Sequence, residues 1–126
     1  MLNSLPEGLL IAWYGDDFTG SAAVMEALTF AGLPSMLFLA TPTPAQMARF
    51  PGLRGIGIAS TARAQGPEWM TREMPGPLGF LAGLKAPILH WKICSTLDSA
   101  PQIGSIGRGT ELALQAVGAE TAGVVV

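Results

Sequence analysis

Charge is scarce in this sequence. Lys, Arg, Asp and Glu make up 13% of its 126 residues, about half the roughly 25% of a typical soluble domain. Water alone is a poor cover for such a chain, and a partner surface is expected. Seven basic side chains face nine acidic ones, for a net charge of -2. The basic residues cluster nowhere, so the electrostatic footprint of a nucleic-acid binder is missing. Cys94, the single cysteine, has no partner for an internal disulfide, and the N-terminus has no basic stretch leading into an apolar core with a cleavage site. A cytoplasmic address is the expectation. With one histidine, His90, and one cysteine, zinc spacing cannot be met, and no metal ligands are assigned. The longest charge-free run, residues 27–48, has the length of a bilayer span. Pro34, Pro42 and Pro44 interrupt it, and Thr41, Thr43 and Gln46 make its second half polar, so no membrane contact is expected.

Apolar residues, in contrast, are plentiful. They form 49% of the chain, with a mean hydropathy of +0.42, enough for the core of one domain. Residues 9–13 form an unalternating apolar run that ends at Tyr14-Gly15-Asp16-Asp17, the pattern of a parallel strand buried on both faces. A helix should follow from Thr19 or Ser21, either of which can cap it, to Ala31, with Val24, Leu28 and Ala31 on its apolar face and Gly32 and Pro34 as the stop. Strands are expected at 35–40, 55–60 and 86–93, and a fifth at 121–126. A short helix opened by Thr43 is expected at 44–50. Residues 66–85 should give two short helices, because Pro75 and Pro77 break the segment. A last helix should span 105–117, with Ile106, Leu112, Leu114 and Val117 as its apolar positions. Trp13, Trp69 and Trp91 lie in or beside apolar segments and are expected in the core. The alternation predicts an α/β fold, a mainly parallel sheet with helices on both faces, whose ligands sit outside the carboxyl ends of the strands. The closing Val124-Val125-Val126 suggests a sheet cut within a longer protein, so that 1–126 is an incomplete N-terminal domain.

Two loops carry the unusual residues. The first is Gly15-Asp16-Asp17-Phe18-Thr19-Gly20-Ser21. Adjacent carboxylates at a strand end repel one another unless a cation, donor cluster or substrate hydroxyl offsets them. Gly20 permits close backbone approach, and the hydroxyls of Thr19 and Ser21 lie beside helix-start amides suited to an anion or a polyol. A tight turn with one aspartate capping the helix and the other solvated is the plain alternative. The loop has neither the Gly-Lys-Ser/Thr ending of a nucleotide P-loop nor the three-glycine dinucleotide fingerprint.

The second loop runs from His90-Trp91-Lys92 through Cys94-Ser95-Thr96-Leu97-Asp98-Ser99 to Gly104-Ser105-Ile106-Gly107-Arg108. A lysine in an apolar strand is costly to bury unless its ammonium meets an anion, or it snorkels from an edge strand. Ser95, Thr96, Asp98 and Ser99 add hydroxyls and a carboxylate at the same sheet edge, which suits a polyhydroxylated acid. His90, on the same strand face as Lys92, and Cys94 read as packed residues. Arg108, just inside a helix start where the dipole disfavours it, calls for a ligand or a carboxylate nearby.

In these two motifs the sequence resembles the four-carbon acid sugar kinase family, which includes threonate, erythronate and 3-oxo-tetronate kinases. The resemblance rests on Gly15-Asp16-Asp17-Phe18-Thr19-Gly20-Ser21 and on Lys92-Ile93-Cys94-Ser95-Thr96-Leu97-Asp98 with the later Ile106-Gly107. It implies a protein of about 400 residues, a size for two domains, with an N-terminal sugar-acid-binding domain and a C-terminal nucleotide-binding domain absent from this chain. The resemblance gives Asp16 and Asp17 the substrate hydroxyls, one of them as base, and gives Lys92 and Ser95 the acid. ATP and Mg2+ would be held mostly by the other domain. The expected substrate-binding set is Asp16, Asp17, Thr19, Gly20, Lys92, Ser95, Thr96 and Arg108. Where many relatives carry a Thr-Asp pair, this chain has Ala22 and Ala23. Cys94 stands in place of an aspartate and Asp98 in place of an arginine, and the next turn is longer. A divergent subfamily is implied. Two other readings stay open: a magnesium-dependent phosphatase or receiver-like domain, and a non-catalytic sugar-acid-binding module. The partners expected are the sugar acid and the nucleotide-binding domain, with a homodimer also compatible.

Overall fold

The computed structural model describes residues 4–125. Four strands, β1 (Ile11–Gly15), β2 (Ser35–Phe38), β3 (Gly55–Ala59) and β4 (Ile88–Lys92), form one sheet in the order β2-β3-β1-β4, with every neighbouring pair parallel. This is the expected α/β class. Strands β2, β3 and β4 lie inside their expected segments with ends trimmed by one or two residues, whereas β1 is shifted two residues past the run expected at 9–13 and takes in Tyr14 and Gly15. Burial explains the unbroken apolar run at β1. It lies between β3 and β4, with Trp13 opposite Gly57 on one side and His90 on the other.

Helix α1 (Phe18–Phe30) connects β1 to β2 past β3, and α2 (Pro44–Ala48) connects β2 to β3. A single 3-10 turn, Ala62–Ala64, then α3 (Pro67–Glu73) and α4 (Pro75–Gly83), carry the chain back past β1 to β4. The direction of travel across the sheet therefore reverses around β1, so the loop after β1 leaves toward the opposite face from the loops after β3 and β4. Such a reversal opens a crevice at the carboxyl ends of the strands.

Strand alternation sorts the core into two faces. Tyr14, with Ala12, Ile56 and Ile58, packs against Met70, Met74, Leu78, Leu81 and Leu112 from α3, α4 and α5 (Ile106–Val117). Trp13 points the other way, fully buried, and its Nε1 donates to the Ser21 carbonyl of α1 at 3.2 Å. Helices thus cover both faces. Trp69 and Trp91 are half-buried and pack against the first core, with Trp91 stacked on Tyr14 at 5.8 Å between ring centres.

Three expectations are corrected. Residues 121–125 form no strand, and Val126 lies outside the described residues. Val124 and Val125 are exposed, without the neighbouring main chain that a β conformation needs. Helix α1 is capped by Asp17, whose side chain accepts from Gly20 N, and not by Thr19 or Ser21. Ser21 instead turns its Oγ inward to the Asp17 carbonyl. Ala31 and Val117, placed by spacing on apolar faces, are exposed at helix ends. The scarcity of charge is visible on the surface, where Phe30 is 85% and Leu39 72% exposed. No described helix is long and apolar enough to cross a membrane.

Candidate functional site

The loops after β1, β3 and β4 meet at one edge of the sheet. Asp16 N donates to the Lys92 carbonyl at 3.0 Å and the Asp16 carbonyl accepts from Arg63 N at 3.0 Å, so main-chain bonds fix the first loop to both neighbours. The two carboxylates then part company. Asp16 is buried, with 4% exposure; its Oδ2 accepts from Cys94 N at 3.4 Å, while Oδ1 is buried with no donor. Asp17 caps α1, accepting from Gly20 N at 2.7 Å through Oδ1, and its Oδ2 lies 3.4 Å from Nη1 of Arg63.

Burial, with the adjacent Asp17 adding repulsion, pushes the Asp16 carboxyl above its usual range. The Cys94 amide, Arg63 and Lys92 offset part of that push. A buried carboxylate oxygen without a donor is costly, about 1–3 kcal/mol or more. The group therefore favours its protonated form more than a solvated carboxyl does.

Lys92 ends the edge strand β4 half-buried, and its Nζ donates to the Ile93 carbonyl. A Cβ added to Gly20 would stand 2.8 Å from Asp17 Oδ1 and 3.4 Å from Lys92 Nζ. Glycine at position 20 thus lets the ammonium come close to the cap of α1. His90, on the same face, is held below its ordinary value by burial and then by Lys92, which keeps it a neutral, half-buried neighbour.

Arg63 was not read from the sequence as a site residue. Its Nη2 donates to Asp98 Oδ2 at 2.7 Å and to Thr96 Oγ1 at 3.2 Å. The signal was its position four residues past a buried strand, since all carboxyl ends of a parallel sheet share one edge. Thr96 also donates to Asp98 Oδ2 at 2.9 Å and to Cys94 Sγ at 3.2 Å, its one proton serving both. That hydroxyl is the main cause holding the Cys94 thiol below its ordinary value. Arg63 and then Thr96 hold the Asp98 carboxyl low.

Of the expected residues, Asp16, Asp17, Gly20, Lys92 and Thr96 therefore come together. Thr19 lies exposed in the first turn of α1, and Ser95 is exposed on the β4 loop. Arg108 stands apart: its guanidinium binds Thr71 of α3 at 3.0 Å and Glu111 at 2.9 Å, supplying the surface carboxylate its position called for. The start of α5 has little free amide for an anion. Ile106 N donates to Ser99 Oγ and Arg108 N to the cap, Ser105.

A cleft of about 220 Å³ opens on the other side of the first loop, with Tyr14, Phe18, Trp69, Ser60, Thr61 and Glu73 in its walls. The charged cluster does not line it. Phe18 faces this cleft while Asp16 and Asp17 turn to β4 and Arg63. Among the described residues no three His, Cys, Asp or Glu side chains gather to hold a metal ion, and no glycine-rich phosphate loop is present among them.

Comparison with known proteins shows the family. The family model described as a sugar-binding N-terminal domain matches residues 11–126. The chain belongs to this family. The 3-oxo-isoapionate kinase of Paraburkholderia graminis is 51% identical over 110 residues, 87% of this chain and 23% of the relative. The chain thus spans about a quarter of that kinase's length. A Salmonella typhimurium LT2 crystal structure, provisionally described as a tRNA synthase, matches with a TM-score of 0.76 at 26% identity, over 88% of this chain and 26% of that one. The two-motif resemblance to the N-terminal domain of four-carbon acid sugar kinases therefore holds for this sugar-binding domain.

The two roles of Asp17 can be separated. Asp17→Ala is expected to lower stability by about 1 kcal/mol through loss of the cap, roughly 4 °C in Tm. Asp17→Asn should lose far less, because asparagine caps equally well. Thermal unfolding of the two variants side by side checks this.

Proposed function

We propose that this chain is the sugar-acid-binding portion of an ATP-dependent kinase that phosphorylates a hydroxyl of a four-carbon-type acid sugar. The observation that carries the reading is Asp16: a buried carboxylate with one undonated oxygen, at a strand end in a sugar-binding domain, beside Lys92 and Arg63. In the overall reaction the substrate hydroxyl oxygen bonds to the γ-phosphorus of ATP, the bond from that phosphorus to the bridging oxygen breaks, and ADP leaves. The hydroxyl proton must go to a base. Asp16 is the better candidate, since its raised carboxyl gains most from a proton, while both oxygens of Asp17 are engaged. Phosphoryl transfer rests on positioning and charge neutralisation, which is the work assigned to these loops. ATP and Mg2+ are assigned to a C-terminal nucleotide-binding domain of the same protein. The setting proposed is the cytoplasm, where ATP is made, and a second copy of the chain is a further partner that the exposed apolar residues allow.

The test is a thermal-shift panel on the full-length protein with threonate, erythronate, 3-oxo-tetronate and related acids, followed by an ADP-release assay with magnesium-ATP. One acid should raise Tm without ATP, because a ligand that binds only the folded state stabilises it. The same acid should then drive ADP release. No release with any of these acids overturns the reading.

A further inference from the structure

Arg63 is the charged residue that joins the inner and outer parts of the site. Its main chain is tied to Asp16, Nη1 faces Asp17, and Nη2 reaches the β4 loop. We propose that Arg63 and Thr96 form the seat for the carboxylate of the sugar acid, and that the chain's own Asp98 occupies this seat until the acid displaces it. This rests on the sugar-acid reading above and moves acid recognition from Lys92 and Ser95 to Arg63 and Thr96.

The seat is drawn by its present occupant. Asp98 Oδ2 accepts from the Arg63 guanidinium at 2.7 Å and from the Thr96 hydroxyl at 2.9 Å. A charge-assisted pair of donors on one carboxylate oxygen is the chemistry that a sugar-acid carboxylate needs. The other guanidinium nitrogen is 3.4 Å from Asp17 Oδ2. A carboxylate in the seat is thus one guanidinium width from the aspartate pair, and its hydroxyl-bearing carbons would run toward Asp17 and Asp16. Lys92, with its Nζ on the Ile93 carbonyl and beside Gly20, is left to offset the charge of that pair.

Asp98 is a loose tenant. Its side chain is 66% exposed, and exposed ion pairs contribute little net stability. The residue before it, Leu97, is held at φ 55°, in the left-handed region that a residue other than glycine rarely adopts. Release of Asp98 lets that backbone relax. A ligand that supplies a carboxylate and adds hydroxyl contacts is therefore favoured over the internal aspartate.

Titration calorimetry on the full-length protein, without nucleotide, tests the seat. The probes are threonate and erythronate, compared with threitol and erythritol, in which CH2OH replaces the carboxylate. Asp98→Asn should bind the acid about three- to fivefold tighter, the scale of an exposed ion pair, and the polyol unchanged. Arg63→Gln should bind the acid about tenfold more weakly or worse, with the polyol again unchanged. An Asp98→Asn variant that binds the acid no tighter, or an Arg63→Gln variant that keeps the preference for acid over polyol, overturns the proposal, as does a wild type that binds neither acid. Because no nucleotide is present, a protein that passes this test yet releases no ADP would sink the kinase reading and leave the seat standing.

Discussion

Asp16→Asn in the full-length protein is expected to lower kcat for the sugar acid by two to four orders of magnitude, about the range a positioned general base contributes. Asparagine matches aspartate in shape and can still accept from Cys94 N, so the fold should persist, and a cooperative melt near the wild-type Tm is the control. KM should change much less than kcat, because the substrate hydroxyl can still hydrogen-bond to the amide. Asp17→Asn should be milder, since Asp17 holds α1 and faces Arg63, with no free buried oxygen. The pH dependence carries a definite sign. The Asp16 carboxyl is raised first by burial and then by Asp17, and a base works only when unprotonated. The acid limb of kcat/KM should therefore rise through a midpoint above the ordinary carboxylate range. Stability runs the other way. The folded state holds the proton more tightly than the unfolded chain, so this group's favourable contribution is complete below the unfolded value and is lost as pH rises through the folded one. Asp16→Asn should flatten both dependences. Near-wild-type kcat in Asp16→Asn, with an unchanged acid limb, would remove Asp16 from the reaction.

Legibility in the sequence followed the range of the interactions involved. The strands were readable because burial on both faces leaves unbroken apolar runs, as at β1 and β3, and α3 and α4 were separable because Pro75 starts a new helix. The cap of α1 had three closely spaced candidates, and the aspartate kept as the plain alternative is the one that caps it. Asp17, Thr19 and Ser21 all carry suitable oxygens, and which one reaches a free amide depends on where the strand releases the chain. The strand expected at 121–126 needs a neighbour, and apolar composition does not supply the main-chain partners of an edge. At the site, Asp16, Asp17 and Lys92 stood out as charges at the ends of apolar strands. Arg63 did not, because its three side-chain partners come from residues 17, 96 and 98, a convergence that only the parallel register creates. For the same reason Arg108 looked like a site residue from its place at a helix start, whereas packing turns it to α3.

Gly57→Ala is expected to destabilise the protein by about 3 kcal/mol or more, the upper end for overpacking a core, and to lower Tm by about 10 °C or more. On local preference alone the sign would be opposite, because glycine within a strand costs about 0.5–1 kcal/mol relative to alanine. What reverses it is Trp13. A Cβ on Gly57 would stand 2.0 Å from Cε2 of the indole and 2.4 Å from Cζ2 and Nε1. The ring cannot yield, since it is fully buried and its Nε1 is bonded to the Ser21 carbonyl of α1. Strand β3 cannot yield either, because it is paired to β1 on one side and β2 on the other. The strain would reach the site, since Trp13 lies three residues before Asp16 and fixes the first turns of α1, which Asp17 caps. Urea unfolding of Gly57→Ala, Trp13→Phe and the double variant measures the coupling. The smaller ring should recover a large part of the loss, giving a favourable interaction energy of about 1 kcal/mol or more in the double-mutant cycle. A stabilised Gly57→Ala, or strict additivity with Trp13→Phe, would show that the glycine is there for some reason other than the indole above it.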